Sequence, residues 1–198
     1  MEERRRGWRI FFTGVGGQGT LLATRILGEA ALLAGLPVVV SEIHGMAQRG
    51  GVVESAVLLG SVRSPTIADG EADILMGFEP LETLRALRKC SGRSLVISST
   101  SAIVPFTVAS GRARYPDIAE MMGTVTRRVA RLIAFDARAL ANEAGMELAI
   151  NTVLLGTLIR HADLPLGKEI TEQAIRLRTK GPYLDVNLKA FQLGYQVK

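Results

Sequence analysis

Apolar positions follow two different periods along the chain. Short, nearly continuous apolar runs occur at Trp8 to Thr13, Pro37 to Ser41, Val52 to Leu59, Ala72 to Gly77, Leu95 to Ser98 and Arg131 to Phe135. Their β-branched and aromatic content and their Gly or Pro borders read as buried strands. Helical spacing fills the intervals: Leu22, Ile26, Ala30 and Leu33 recur on one stripe until Gly35-Leu36-Pro37 stops it, and further helices are expected from about Pro80, over Asp117 to Arg128, and from Asp136. After Asp136 the pattern is helical throughout, through Leu140, Met146, Val153, Leu154 and Leu158, with stops at Gly145 and at Pro165 to Gly167. Ile170 to Leu177 reads as a short helix, and a last helix follows Gly181-Pro182 and ends near Tyr195. Strands alternating with helices predict a three-layer α/β domain, with a mostly parallel Rossmann-like sheet covered on both faces and a C-terminal helical annex. The expected division is one domain over 1–198, with a core of about 8–136 and an annex of about 137–198.

One stretch interrupts this pattern. Gly14, Gly16 and Gly19 spell G-x-G-x-x-G between the first strand and the first helix, with Gly17 and Gln18 inside the spelling. Glycine lets the backbone take positive φ and approach a ligand closely, and the N–H groups that open a helix attract an anion. The same glycines would also serve a tight turn and close helix–strand packing, and the spelling alone does not name a ligand. A second loop, Ile43 to Gly51, gathers His44, Gln48 and Arg49 with three glycines and no core residues to account for them. Glu42 stands about twenty residues past the glycine loop, where a ribose-binding carboxylate of a dinucleotide site would be.

Composition narrows the chemistry. The 198 residues are 47% hydrophobic without an apolar run of membrane-spanning length, and the N-terminus lacks the features of a secretory signal, so a cytoplasmic protein with no membrane association is expected. The single cysteine, Cys90, excludes an internal disulfide and a cysteine-ligated iron–sulfur cluster built by this chain alone, and reads as an inert thiol. A net charge of +5 fits an anionic ligand or an acidic partner. No aromatic-interleaved basic stripe points to nucleic acid. His161 reads as a surface or packing histidine, and no metal-ligand spacing or Ser-His-Asp order supplies a catalytic residue.

Taken together, Gly14 to Gly19, the run His44-Gly45-Met46-Ala47-Gln48-Arg49-Gly50-Gly51 and Asn187 to Phe191 resemble the small gamma-type module of the 2-oxoacid:ferredoxin oxidoreductases. Within that family the likeness is to the beta-type subunits of indolepyruvate enzymes, and it covers nearly the whole chain. The resemblance implies a non-redox subunit of an enzyme that oxidatively decarboxylates a 2-oxoacid, an aryl pyruvate such as indolepyruvate, to acyl-coenzyme A with electrons passing to ferredoxin. Thiamine diphosphate and iron–sulfur clusters are then expected in a large catalytic alpha subunit, with coenzyme A as co-substrate and none of the cofactors bound by this chain alone. It also implies that backbone N–H groups of Gly16 to Gly19 meet a phosphate, with Arg49 as a fixed cation beside them. His44 and Gln48 belong to the same cofactor-side loops, and the isolated chain is expected to self-associate. The segment Ser98 to Pro105 departs from the family's pattern. Two readings of other classes stand beside this one: a free-standing dinucleotide-binding reductase or sensor using Glu42, and an interaction domain with a degenerate glycine loop.

Overall fold

The structure, a computed structural model, describes residues 7–44, 51–61 and 64–198. The sheet strands are β1 (Trp8–Val15), β2 (Val38–His44), β3 (Val52–Leu59), β4 (Ala72–Gly77), β5 (Cys90–Ser99) and β6 (Arg131–Phe135). The helices are α1 (Thr20–Leu33), α2 (Pro80–Ala86), α3 (Phe106–Ala109), α4 (Ile118–Thr126), α5 (Ala137–Ala144), α6 (Ile150–His161), α7 (Lys168–Arg178) and α8 (Leu184–Tyr195).

The six strands lie in the order β2-β3-β1-β4-β5-β6. β1, β4, β5 and β6 pair in parallel, whereas β3 runs antiparallel to both β1 and β2. The sheet is therefore mostly parallel, with one reversed strand inserted between the first two. Because side chains alternate along a strand, the strands inside the edge strand β2 feed two cores. Ile10, Phe12, Val57, Met76, Ile97 and Ile133 face α1 and α5 to α8 in one cluster, while Phe11, Ala56, Leu58, Leu75 and Val96 face α2 and α4 in the other. Phe12, Phe78 and Phe191 are fully buried, each worth about 1.5–3 kcal/mol of apolar transfer.

Local chemistry sets the element ends. Glu79, Asp117 and Asp136 cap α2, α4 and α5 by accepting the N–H groups of Glu82, Glu120 and Ala139. Gly145 closes α5 in the left-handed conformation at φ 116°. α1 contacts the core through Ala23, Ile26, Leu27, Ala30 and Ala31. Of the stripe expected from spacing, Ile26 and Ala30 are buried, but Leu33, the last residue of α1, is exposed. The C-terminal helices share the cluster of the strands. α8 crosses α6 where Gly156 and Gly194 meet, and a Cβ on either would overlap the backbone of the other helix. That close crossing carries the start of α8 to the carboxyl edge of the sheet.

Candidate functional site

The glycine loop connects β1 to α1 at the edge where β1, β2, β4, β5 and β6 end and β3 begins. Its glycines have different duties. A Cβ on Gly14 would stand 2.8 Å from both Gln18 Oε1 and Phe78 Cβ, and one on Gly19, at φ 76°, would stand 2.7 Å from Asn151 Nδ2. Both positions are therefore glycine for packing reasons. Gly17, at φ 102°, has no atom within 4 Å of its Cβ position and is the glycine that opens on free space.

Gln18 is committed inward. It is buried, its Oε1 accepts the Val15 N–H at 2.8 Å, and its Nε2 donates to the Phe78 carbonyl at 2.8 Å. It braces the loop against β4 rather than presenting its amide to a ligand, which corrects its expected place among cofactor contacts. The expected row of anion-binding N–H groups is also shortened. Gly16 N–H donates to the Gly51 carbonyl at 2.9 Å and Gln18 N–H to the Val15 carbonyl at 3.2 Å, whereas the N–H groups of Gly17 and Gly19 have no partner among the described residues. The bond from Gly16 to Gly51 ties the glycine loop to the end of the second loop. His44 closes β2 opposite Val53. Gln48 and Arg49 lie outside the described residues.

Facing Gly17 and Gly19 is a cavity of about 490 Å³ with Leu22, Met146, Leu148 and Tyr183 among its walls. Asn151 and Asn187 line it too, and they belong to one polar chain. Asn151 Nδ2 donates to the Gly19 carbonyl at 3.4 Å, Thr152 N–H donates to Asn151 Oδ1 at 2.8 Å, Thr152 Oγ1 donates to Asn187 Oδ1 at 2.6 Å, and Asn187 Nδ2 donates to the Tyr183 carbonyl at 2.8 Å. The glycine loop and the Asn187 segment, 168 residues apart, thus meet at one buried network. Arg178 and Lys180 bring positive charge to the cavity, Arg178 while holding Glu29 of α1 at 2.5 Å.

A second node at the same edge was not selected from the sequence. Glu79, buried just past β4, accepts the Glu82 N–H on Oε2 at 3.0 Å and, on Oε1, the Ile103 N–H at 3.3 Å and the Tyr115 hydroxyl. The signal available was local: an acid directly before a Pro that opens a helix. Burial raises the Tyr115 hydroxyl, and the Glu79 hydrogen bond raises it further.

The remaining candidates are structural. Glu42 lies beyond β3, one strand removed from β1, and its carboxylate stands 3.6 Å from Arg25 Nε. A dinucleotide site places its ribose-binding acid on the strand next to the glycine-loop strand, so the inserted β3 separates the two halves that such a site needs. Burial pushes the Cys90 thiol up to about 11, which makes it a poor nucleophile. His161 donates from Nε2 to the Val197 carbonyl at 2.8 Å and accepts Arg131 Nη2 on Nδ1 at 3.2 Å, since a carbonyl only accepts and a guanidinium only donates. No cluster of potential metal ligands occurs among the described residues, and no helix among them is long and apolar enough to cross a membrane.

A three-layer α/β module with a glycine loop and an apolar cavity at its carboxyl edge is the class that this geometry defines. Residues 9–197 match the pyruvate ferredoxin/flavodoxin oxidoreductase family, and the chain belongs to it. It is 44% identical over 186 residues to the indolepyruvate oxidoreductase subunit IorB of Archaeoglobus fulgidus, covering 94% of this chain and 92% of that one. It is 42% identical to the subunit of the same name from Methanothermobacter thermautotrophicus, over 95% of this chain and 96% of the relative. Among solved structures, the gamma subunit of a keto/oxoacid ferredoxin oxidoreductase from Geobacter sulfurreducens superposes with a TM-score of 0.74 at 25% identity, covering 97% and 96% of the two chains. The pyruvate oxidoreductase subunit PORC of Thermotoga maritima shares the fold, with a TM-score of 0.71 at 21% identity over 97% of each chain.

Proposed function

We propose that this chain is the non-redox subunit of an indolepyruvate-type 2-oxoacid:ferredoxin oxidoreductase and that its carboxyl edge forms the coenzyme A side of the shared active site. That it is a subunit of a 2-oxoacid:ferredoxin oxidoreductase follows from its family and its relatives. The observation that carries the rest is the meeting of Gly17, Gly19 and Asn187 around one cavity with cationic Lys180 at its rim.

The overall reaction joins a 2-oxoacid, coenzyme A and oxidised ferredoxin and yields an acyl-coenzyme A, carbon dioxide and reduced ferredoxin. Thiamine diphosphate in the large subunit supplies the electron sink for decarboxylation. One cysteine cannot ligate a cluster, so the electron path belongs to that subunit as well. What this chain contributes is binding and enclosure. In this reading the N–H groups of Gly17 and Gly19 meet a phosphate at the opening of α1 beside the cation Lys180, Arg49 is assigned to the same anion by the resemblance of its loop, and the apolar walls exclude water. His44 and Gln48 are assigned to the same anion-binding role, by the family resemblance of their loop. A soluble, cytoplasmic location fits a ferredoxin-linked enzyme.

The test is reconstitution without oxygen of this chain with the large subunit of the same enzyme. Ferredoxin reduction is expected only with both subunits, indolepyruvate and coenzyme A present. Arg49→Ala should raise the KM for coenzyme A about tenfold, the loss of one charge-assisted contact, with assembly unchanged. An unchanged KM removes the assigned anion site, and activity of the large subunit alone removes the shared site. Tight uptake of a nicotinamide or flavin by the isolated chain would instead favour the dinucleotide reading.

A further inference from the structure

The segment between β5 and α4 has no place in the function described so far, and it carries the most exposed large apolar side chain among the described residues. Phe106, the first residue of α3, is 77% exposed, and Val104 beside it is 54% exposed. The segment is not loose. Its base is held by the Glu79 carboxylate, which accepts Ile103 N–H and the Tyr115 hydroxyl, and by Ser101 Oγ donating to Asp136 at 2.5 Å. Its tip is closed by its own backbone: Val108 and Ala109 donate to the Pro105 carbonyl, Ser110 to Phe106 and Arg112 to Thr107. A side chain of this size left in water on a pre-formed support has the character of an interface anchor, because little conformational freedom remains to be lost on contact.

Its surroundings point to the kind of surface it meets. Five of the ten exposed large apolar side chains among the described residues (Val52, Val104, Phe106, Leu148 and Tyr183) belong to segments at the carboxyl edge of the sheet. Arg112 and Arg114 follow Phe106, are exposed and form no ion pair among the described residues. We infer that the 103–115 segment is a docking element for the larger subunit of the oxidoreductase, with Phe106 entering an apolar socket that carboxylates border opposite Arg112 and Arg114. The inference rests on the reading of this chain as one subunit of a larger enzyme. The occupant is that subunit: the unpaired cations select an acidic rim, and the anchor stands on the edge that holds the proposed shared site.

The test measures association of the isolated chain with the separately purified large subunit. Phe106→Ala should raise the dissociation constant at least about tenfold and Phe106→Asp should abolish assembly, while both variants keep the wild-type melting temperature because the ring makes little contact within the chain. Arg112→Glu with Arg114→Glu should weaken association and flatten its dependence on salt. Val39→Asp, in the edge strand β2 at the far end of the strand order from β5 and β6, should leave association unchanged. Dissociation constants of the Phe106 variants within about twofold of wild type overturn the inference alone, as does an equal loss in Val39→Asp. Failure of the wild-type chain to bind the large subunit overturns the subunit reading itself.

Discussion

Replacing Glu79 by Ala tests whether one carboxylate organises two neighbouring elements. Three donors converge on it, from Glu82 in α2, from Ile103 and from Tyr115. Loss of the helix cap costs about 1 kcal/mol. Loss of the hydrogen bond from Tyr115 to a charged acceptor costs about 1.5–3 kcal/mol, and the longer bond from Ile103 adds less. Removing a buried charge beside the Glu82 carboxylate, which burial holds above the usual carboxylate range, returns part of that sum. The expected net loss is about 3 kcal/mol, or a melting temperature lower by about 6–12 °C for a chain of this length. Tyr115→Phe removes one bond only and should cost about half as much. Thermal and urea denaturation of the isolated chain measure both, and amide exchange at Ile103 should accelerate in Glu79→Ala. If Glu79→Ala lost less than about 0.5 kcal/mol, or if Tyr115→Phe lost as much as Glu79→Ala, the acid would not be the organising group.

Two further outcomes follow from the same geometry. Gly19→Ala combines a left-handed backbone with a Cβ placed 2.7 Å from Asn151 Nδ2, and should cost about 3 kcal/mol in urea denaturation; adding Asn151→Ala should recover the steric part, and strict additivity of the two changes would refute the clash. The Cys90 thiol, raised from 9.0 to about 11 by burial, should react with a thiol reagent at pH 8 far more slowly in the native than in the unfolded chain. Because the unfolded thiol ionises first, the stability it contributes is complete below pH 9 and is lost as pH climbs through 11; native labelling as fast as unfolded labelling would refute this.

Much of the fold was legible because it is written in local chemistry. The runs Val52 to Leu59, Ala72 to Gly77 and Arg131 to Phe135 coincide with β3, β4 and β6, and Asp136 and Gly145 mark the two ends of α5. Such signals need only neighbours in sequence: β-branched runs, a capping acid, a left-handed glycine. The direction of β3 was not legible, since a strand buried on both faces has the same pattern whichever way it runs. The site was legible in its segments and not in its duties. Gly14, Gly16 and Gly19 spell the motif, yet Gly17 is the one that faces open space, because the spaces beside Gly14 and Gly19 are taken by Gln18, Phe78 and Asn151. Gln18 looks like a ligand contact until its one local and one long-range bond are seen. Glu79 draws its partners from 103 and 115, a separation that no periodicity reports.

The insertion of β3 between β1 and β2 also orders the birth of the fold. When the nascent chain has delivered residues through 44, β1 and β2 exist as sequence but share no backbone hydrogen bonds, since each pairs with β3 instead. In the folded sheet they stand about 9.6 Å apart, two strand spacings, with β3 between them. Only Val52 to Leu59 can join them, because the reversed strand pairs with both neighbours. Until that strand is available, neither Trp8–Val15 nor Val38–His44 can complete its native pairing on that side, and unpaired apolar strand edges of this kind are prone to associate with other chains.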